Sequence, residues 1–383
     1  TLPSGINFLP LVVLLLSFYY LPKQRSTLIF EADEWRIFFA LALYFIGALA
    51  SLLINQDALA YLDEPTKFLF TILLIMLIAR QSLDIHFFWI FILFATLSNL
   101  IYVVWLGGDF YQPGFNRLSS DVISNPLYFG NLSLLFGFLS LSGLIWTQDK
   151  SVQHKKLLIS FFLLGFGGGV YLSLMSGTRG GWVGIPFVLY FVLYQYAKDI
   201  QKTKLLNFGF MLLFLLIGLM FFLVENSFKE RLMLISKDVE IYLALNESYT
   251  SSGLRLEMWK MGLVTFLENP FFGAGVNGYA AAVAEVIQQG RAIEEVGTFH
   301  QLHNQYVQEL AFKGIFGLMS LVLLFGVLIR FFVKRLNSKS YQIKSLAVAG
   351  ALTCILYLFF FLSITMFHLN KTTLPFLIIV ALT

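Results

Sequence analysis

Three arginines and a histidine stand out in a chain that otherwise reads as lipid-soluble. Arg179 sits in Ser176-Gly177-Thr178-Arg179-Gly180-Gly181-Trp182, a short break between two apolar stretches, and Arg117 lies in Gly114-Phe115-Asn116-Arg117-Leu118. Arg255 is near the centre of the longest polar stretch, Glu225 to Asn304, and His303 is near its end. Each guanidinium offers a planar fork of donors and cannot lose its charge, so three on one face suit a diphosphate. A carboxylate or sulfate would be gripped the same way, so the arginines name an anion and not a substrate. Gly180 and Gly181 leave room for a group to approach Arg179. His303, beside the polar Asn304, stands at the mouth of a helix that runs on through Leu310 and Leu318, where it can take a proton from a hydroxyl at neutral pH. The plainer accounts are a snorkelling arginine at a helix end, an exposed loop arginine and a capping histidine.

These residues must be held by a membrane scaffold. Of the 383 residues 58% are hydrophobic, 17% aromatic and only 13% charged, and the mean hydropathy is +0.78, which is the composition of a polytopic membrane protein. A spanning helix needs roughly 20 mostly apolar residues, and continuous apolar runs rather than alternation select helices over a barrel. Spans are predicted near 6–21, 37–54, 66–79, 86–106, 126–146, 157–176, 180–197, 205–224, 305–329, 345–366 and 372–383. Lys23 and Arg25, Arg80, Lys150 to Lys156, Lys198 to Lys204, and Lys334 to Lys339 fall in alternate loops, which assigns those loops to the cytoplasm. Asp57 to Glu64, Gly107 to Ile123 and Glu225 to Asn304 are then outside. The same parity puts residue 1 outside, and the chain begins with Thr. A further N-terminal helix is therefore expected, giving an all-α polytopic membrane helix bundle of about 12 transmembrane helices. Residues 1–224 form the N-terminal transmembrane bundle, 225–304 the external loop with its amphipathic helices, and 305–383 the C-terminal transmembrane helices of one integrated membrane domain. The net charge of +4 belongs to the cytoplasmic loops, so it speaks of topology and anionic headgroups rather than nucleic acid. The single cysteine, Cys354, reads as a small buried hydrophobe.

Inside the external stretch, Leu254 to Glu268 reads as a helix at the membrane surface, ended by Asn269-Pro270. Phe271 to Gly278 is a glycine-rich turn that either cradles a phosphate on backbone N–H groups or is plain turn chemistry. A short helix from Tyr279 to Gln289 follows. Of the five histidines, His154, His86 and His368 are read as structural, whereas His300 and His303 lie where the stretch re-enters the membrane. His300 and His303 are three apart and lack the Glu of a metalloprotease helix, and no Cys, Asp or His cluster completes a metal site. There is no Walker loop, no Asp-x-Asp element and no hydrolase elbow around Ser176. No metal or cofactor is expected.

Arg117 ahead of Asn125-Pro126, Ser176 to Trp182, Leu254-Arg255-Leu256-Glu257-Met258-Trp259, Asn269 to Gly275, and His303-Asn304 followed by Gly314-Ile315-Phe316-Gly317 together resemble the O-antigen ligase and polymerase superfamily. The resemblance covers nearly the whole chain. It implies a bacterial inner-membrane protein whose periplasmic site transfers a glycan from an undecaprenyl diphosphate carrier to an acceptor, in the ligases a sugar hydroxyl of the lipid A core. It further implies that Arg179 and Arg255 hold the donor diphosphate, with Arg117 on the same side, and that His303 activates the acceptor hydroxyl. Asn304, His300, Trp259 and Glu309 are candidates for supporting roles. Two departures are visible: Gln301 stands where many relatives have a second histidine, and Phe312-Lys313 replace an acidic residue, leaving Glu309 the nearest carboxylate. The expected partners are an undecaprenyl diphosphate-linked O-antigen, a lipid A-core oligosaccharide and the bilayer. A polymerase, an exopolysaccharide or protein glycosyltransferase, and a transporter of a small anion are the alternatives. No paired interrupted spans of the kind that build a midplane transport site are evident.

Overall fold

The computed structural model describes residues 3–24, 30–79, 84–106, 109–111, 117–119, 125–223, 251–290, 292, 294–299 and 301–383. Helices account for almost all of these residues: α1 (Pro3–Gln24), α2 (Ala32–Asn55), α3 (Asp63–Ile78), α4 (Ile85–Leu106), α5 (Pro126–Trp146), α6 (Lys155–Ser176), α7 (Arg179–Trp182), α8 (Ile185–Asp199) and α9 (Thr203–Leu223). Beyond residue 250 follow α10 (Ser251–Glu268), α11 (Gly275–Gln288), α12 (Glu294–Gly297), α13 (Gln305–Arg335), α14 (Tyr341–Phe360) and α15 (Asn370–Leu382). Among the described residues one short antiparallel pair, β1 (Asp109–Tyr111) with β2 (Arg117–Ser119), accompanies the helices of this all-α fold, with Tyr111 opposite Arg117. Every predicted span falls on a helix, and among the described residues six helices are long and apolar enough to cross a membrane. The protein is a multi-pass helical membrane protein.

Local sequence explains where the helices begin and end. Asn125 caps α5 by accepting from the Leu127 amide at 2.9 Å, with Pro126 in the first turn where its missing N–H costs nothing. The predicted span 180–197 is split, because Pro186 starts α8 afresh after the short turn of α7. The predicted span 345–366 ends early, at Phe360. Its last carbonyls, at Phe359 and Phe360, accept from the Leu362, Ser363 and Ile364 amides in a closing turn, and Phe361 O accepts from the Gln305 amide at 2.9 Å. α13 carries on past the predicted 329 to Arg335 and bends at Gly314, whose φ of 66° and ψ of −160° suit glycine. A Cβ there would meet Phe271 O at 2.3 Å, so the glycine lets the 270–273 chain lie against the helix, where Pro270 O accepts from the Ile315 amide at 2.8 Å.

α5 is the central helix, almost wholly buried, with α6, α14, α4 and α8 around it. Lipid gives no hydrophobic drive between helices, so close packing of small residues does the work. Gly137 and Gly169 meet across α5 and α6 so closely that a Cβ on Gly169 would lie 2.6 Å from the Gly137 Cα. A second, smaller cluster joins Met258 and Met261 of α10, Tyr279 and Val283 of α11, and Ala311 and Phe312 of α13. The polar stretch therefore folds onto the start of α13 through an apolar face of its own.

The two ends of the bundle are chemically distinct. At one end Lys334 meets Asp33 at 2.7 Å, Lys344 meets Asp199, and Lys198 donates to Asn337 at 2.7 Å. These are loops of the basic set. At the other end Asn55 reaches Gly273 O, Thr178 reaches Pro126 O, and Gln305 reaches Phe361 O. The alternate loops separated by their lysines and arginines thus occupy opposite ends.

Candidate functional site

His303 lies in the turn ahead of α13, with a left-handed φ of 51° that is unusual for a residue carrying a Cβ and costs about 1–2 kcal/mol. The surrounding turn is tied down on both sides. Leu302 O accepts from Trp259 Nε1 at 2.9 Å, and the Leu302 amide donates to Gln308 at 3.2 Å. Asn304 caps α13, its side-chain oxygen accepting from the Tyr306 and Val307 amides at 3.0 and 3.1 Å. Gln301 accepts from the hydroxyls of Tyr128 on α5, at 2.7 Å, and Thr365. Six hydrogen bonds hold a strained backbone in place, which is the usual circumstance in which such strain persists.

The His303 side chain is 9% exposed, its ring edge-on to Phe299 at 5.7 Å, and its Nδ1 is buried with no hydrogen-bond partner among the described residues. Burial pushes its pKa down to about 4, with the charge of Arg255 and then His368 adding to the effect. At neutral pH the imidazole is uncharged and keeps a free lone pair. Arg255, on the first turns of α10, and His303 are therefore within electrostatic reach of each other.

Arg179 opens α7 and is exposed. The residues before it do structural work: Thr178 Oγ1 donates to Pro126 O at 3.0 Å and pairs with Ser176 at 2.7 Å, while Gly177 ends α6 with φ 67°. The residue after it, Gly180, lies against Ser363, and Gly181 lies against Asn131 and Phe360. Asn304 reaches Leu362 O at 3.5 Å in the same turn. The end of α14 is the hub to which both the Arg179 turn and the His303 turn attach. Arg117 is in β2, which runs beside α5 and α6. His300 lies outside the described residues.

Two features were not legible in the sequence, and a third, Glu309, was legible only as a candidate. His368, read there as structural, approaches His303 closely enough to bear on its charge, because the turn after α14 folds back over the site. The glycine-rich turn is no vacant phosphate cradle: the carboxylate of Asp57 already accepts from the Val276 and Asn277 amides at 2.8 and 3.1 Å, capping α11. Glu309, only 1% exposed, accepts from Tyr44 at 2.7 Å and Gln305 at 2.8 Å and pairs with Lys313 at 2.8 Å. Charge buried at that depth of a bundle is unusual unless paired, and what pointed to Glu309 was that it is the carboxylate nearest the Gly314 to Gly317 motif.

The fold and site define a multi-pass membrane protein with cationic and histidine side chains gathered at one end of its bundle. Residues 161–322, which include Arg179, Arg255 and His303, match the model of the Wzy_C family, described as O-antigen ligase, whose members are glycosyltransferase-like enzymes. The chain is 25% identical over 365 residues to an uncharacterized protein of Haemophilus influenzae, covering 94% of this chain and 88% of that one. It is 23% identical over 196 residues to the O-antigen ligase of Escherichia coli K12, covering 50% of this chain and 44% of that protein. The likeness to the O-antigen ligase and polymerase superfamily read from the motifs thus has independent support.

Proposed function

We propose that the protein is an O-antigen ligase of the bacterial inner membrane. It would transfer a glycan from undecaprenyl diphosphate to a sugar hydroxyl of lipid A-core at the periplasmic face. The observation that carries this reading is an uncharged, buried histidine held beside a permanent cation, at the end of the bundle where the Arg179 turn is also anchored. The acceptor oxygen attacks the anomeric carbon as its proton passes to His303. The bond from that carbon to the diphosphate breaks, and undecaprenyl diphosphate leaves. Arg179 and Arg255, with Arg117, neutralise the charge gathering on the departing diphosphate, a task guanidinium groups perform without a metal. One displacement inverts the anomeric configuration.

Binding of the diphosphate has a second effect. It offsets the charge of Arg255, which in the free protein is the largest cause after burial of the low basicity of His303. The base therefore gains proton affinity when the donor is in place, moving toward the neutral range where general bases work best.

The test is incubation of purified protein in lipid with lipid A-core and a glycan on undecaprenyl diphosphate. A ladder on lipid A supports the ligase. Longer glycan on the carrier identifies a polymerase, and anion flux in proteoliposomes with no glycan transfer identifies a transporter.

A further inference from the structure

A cavity of about 510 Å³ lies between the outer ends of α2 and α3 on one side and α11 and α13 on the other. Its size is that of a ligand site, which commonly runs to about 300–1,000 Å³. Its wall runs up to the site: Phe299, the ring packed on His303, and Gln305 and His368 border it. The rim, at Ala60, Tyr61, Ala280 and Ala284, is exposed, whereas the floor, at Tyr44, Phe68 and Glu309, is buried.

The charge of this wall is opposite to that of the arginines. Asp57, Asp63, Glu64 and Glu309 line it, against Lys313, with Lys67 behind pairing Asp63 at 2.9 Å and Glu64 at 3.3 Å. Neither Arg179 nor Arg255 borders the cavity. Carboxylates repel a phosphate but accept strong hydrogen bonds from hydroxyls. Aromatic faces at Tyr61, Tyr279 and Phe299 supply flat apolar surface for the ring of a sugar. Glu309 is buried at the floor, and its Oε2 meets Lys313 as an ion pair with no hydrogen bond.

We propose that this cavity, walled by carboxylates and aromatic rings and ending beside His303, is the pocket for an uncharged, hydroxyl-rich sugar of the acceptor. The assignment rests on the glycosyl transfer proposed above. The wall charges keep the anionic donor headgroup on the arginine side and leave this side to the nucleophile, so the two substrates approach His303 from differently charged quarters. The donor's own glycan shares the hydroxyl chemistry, and the experiment separates the two sources.

Ala280 and Ala284 are exposed at the rim, and Ala281 is exposed on the same helix but does not border the cavity. Ala280→Trp and Ala284→Trp therefore fill the pocket without disturbing a core, and Ala281→Trp is the control. Binding of a phosphate-free core oligosaccharide is measured by saturation-transfer NMR, and KM is measured for acceptor and for donor. The expected result is a tenfold or greater weakening of oligosaccharide binding and rise in acceptor KM for the two pocket variants, with donor KM and the control unchanged. Glu64→Gln is expected to weaken the oligosaccharide severalfold at unchanged thermal midpoint. Undiminished binding in the pocket variants, no binding to the wild type, a rise in donor KM alone, or preference for a phosphorylated oligosaccharide would each overturn the assignment. If the wild type binds the oligosaccharide and Ala280→Trp abolishes that binding, yet no transfer occurs, the pocket stands and the proposed transfer reaction falls.

Discussion

At one end of the bundle three lysines are held within the chain: Lys334 by Asp33, Lys344 by Asp199, Lys198 by Asn337. At the other end Arg179 projects from a short helix into the open, and Arg255 acts on a histidine that is itself uncharged. Both ends are polar and both carry positive charge. What lies beside the charge tells them apart: the lysines of the first end tie loops to one another, whereas Arg255 stands within electrostatic reach of a neutral imidazole and Arg179 is exposed.

The contrast is broken most severely by removing the arginines. The double variant Arg179→Ala with Arg255→Ala should lose roughly 3–6 kcal/mol of donor interaction, counting about 1.5–3 kcal/mol for each hydrogen-bonded charge, read as a fall in kcat/KM for the donor. Lysine at either position should restore little, because an ammonium lacks the fork. If the double variant uses donor as well as the wild type, the arginines are no more than helix-end charges.

Glu309→Ala, at the same end, should destabilise the protein by up to about 3–5 kcal/mol, because it removes the buried carboxylate of a half-buried ion pair and leaves Lys313 without it. Thermal unfolding in detergent checks this. An unchanged midpoint would mean that water reaches Lys313.

A smaller effect concerns pH. His303 titrates at about 4 against an ordinary 6.5, so kcat/KM is expected to hold from neutrality downward and to be lost only as the pH falls through about 4. The same shift means the unfolded chain takes up this proton first, so the contribution of the neutral ring to stability is lost over that interval as pH falls. Arg255→Gln removes a cause of the shift and should move the acid limb to higher pH. A limb that stays in place would place the arginine's influence elsewhere.

The smallest effect belongs to the other end. Lys334→Ala breaks a partly exposed pair and should cost no more than about 1 kcal/mol of stability, with transfer kinetics unchanged. A marked loss of transfer would erase the distinction between the ends.

The scaffold was legible because hydropathy and alternating charge are local properties, and all the predicted spans are helices for that reason. Arg179, Arg255 and His303 were legible because charge and imidazole beside apolar spans are costly and therefore conspicuous. His368 was not, since its neighbour is 65 positions away and the turn after α14 brings them together. Nor was Asp57, whose partners at Val276 and Asn277 lie 219 and 220 positions along the chain. Long-range pairing leaves no periodic mark in a sequence. The carboxylate wall of the cavity escaped notice for the same reason, since the stretch after α2, the start of α3 and α13 all contribute to it.

The central claim is that the histidine and the arginines divide the work, one serving the acceptor hydroxyl and the others the donor diphosphate. His303→Ala tests it when donor binding and single-turnover transfer are measured on one preparation. The account predicts a donor dissociation constant equal to that of the wild type and transfer slowed by about 10²–10⁴-fold. Transfer at the wild-type rate would contradict it.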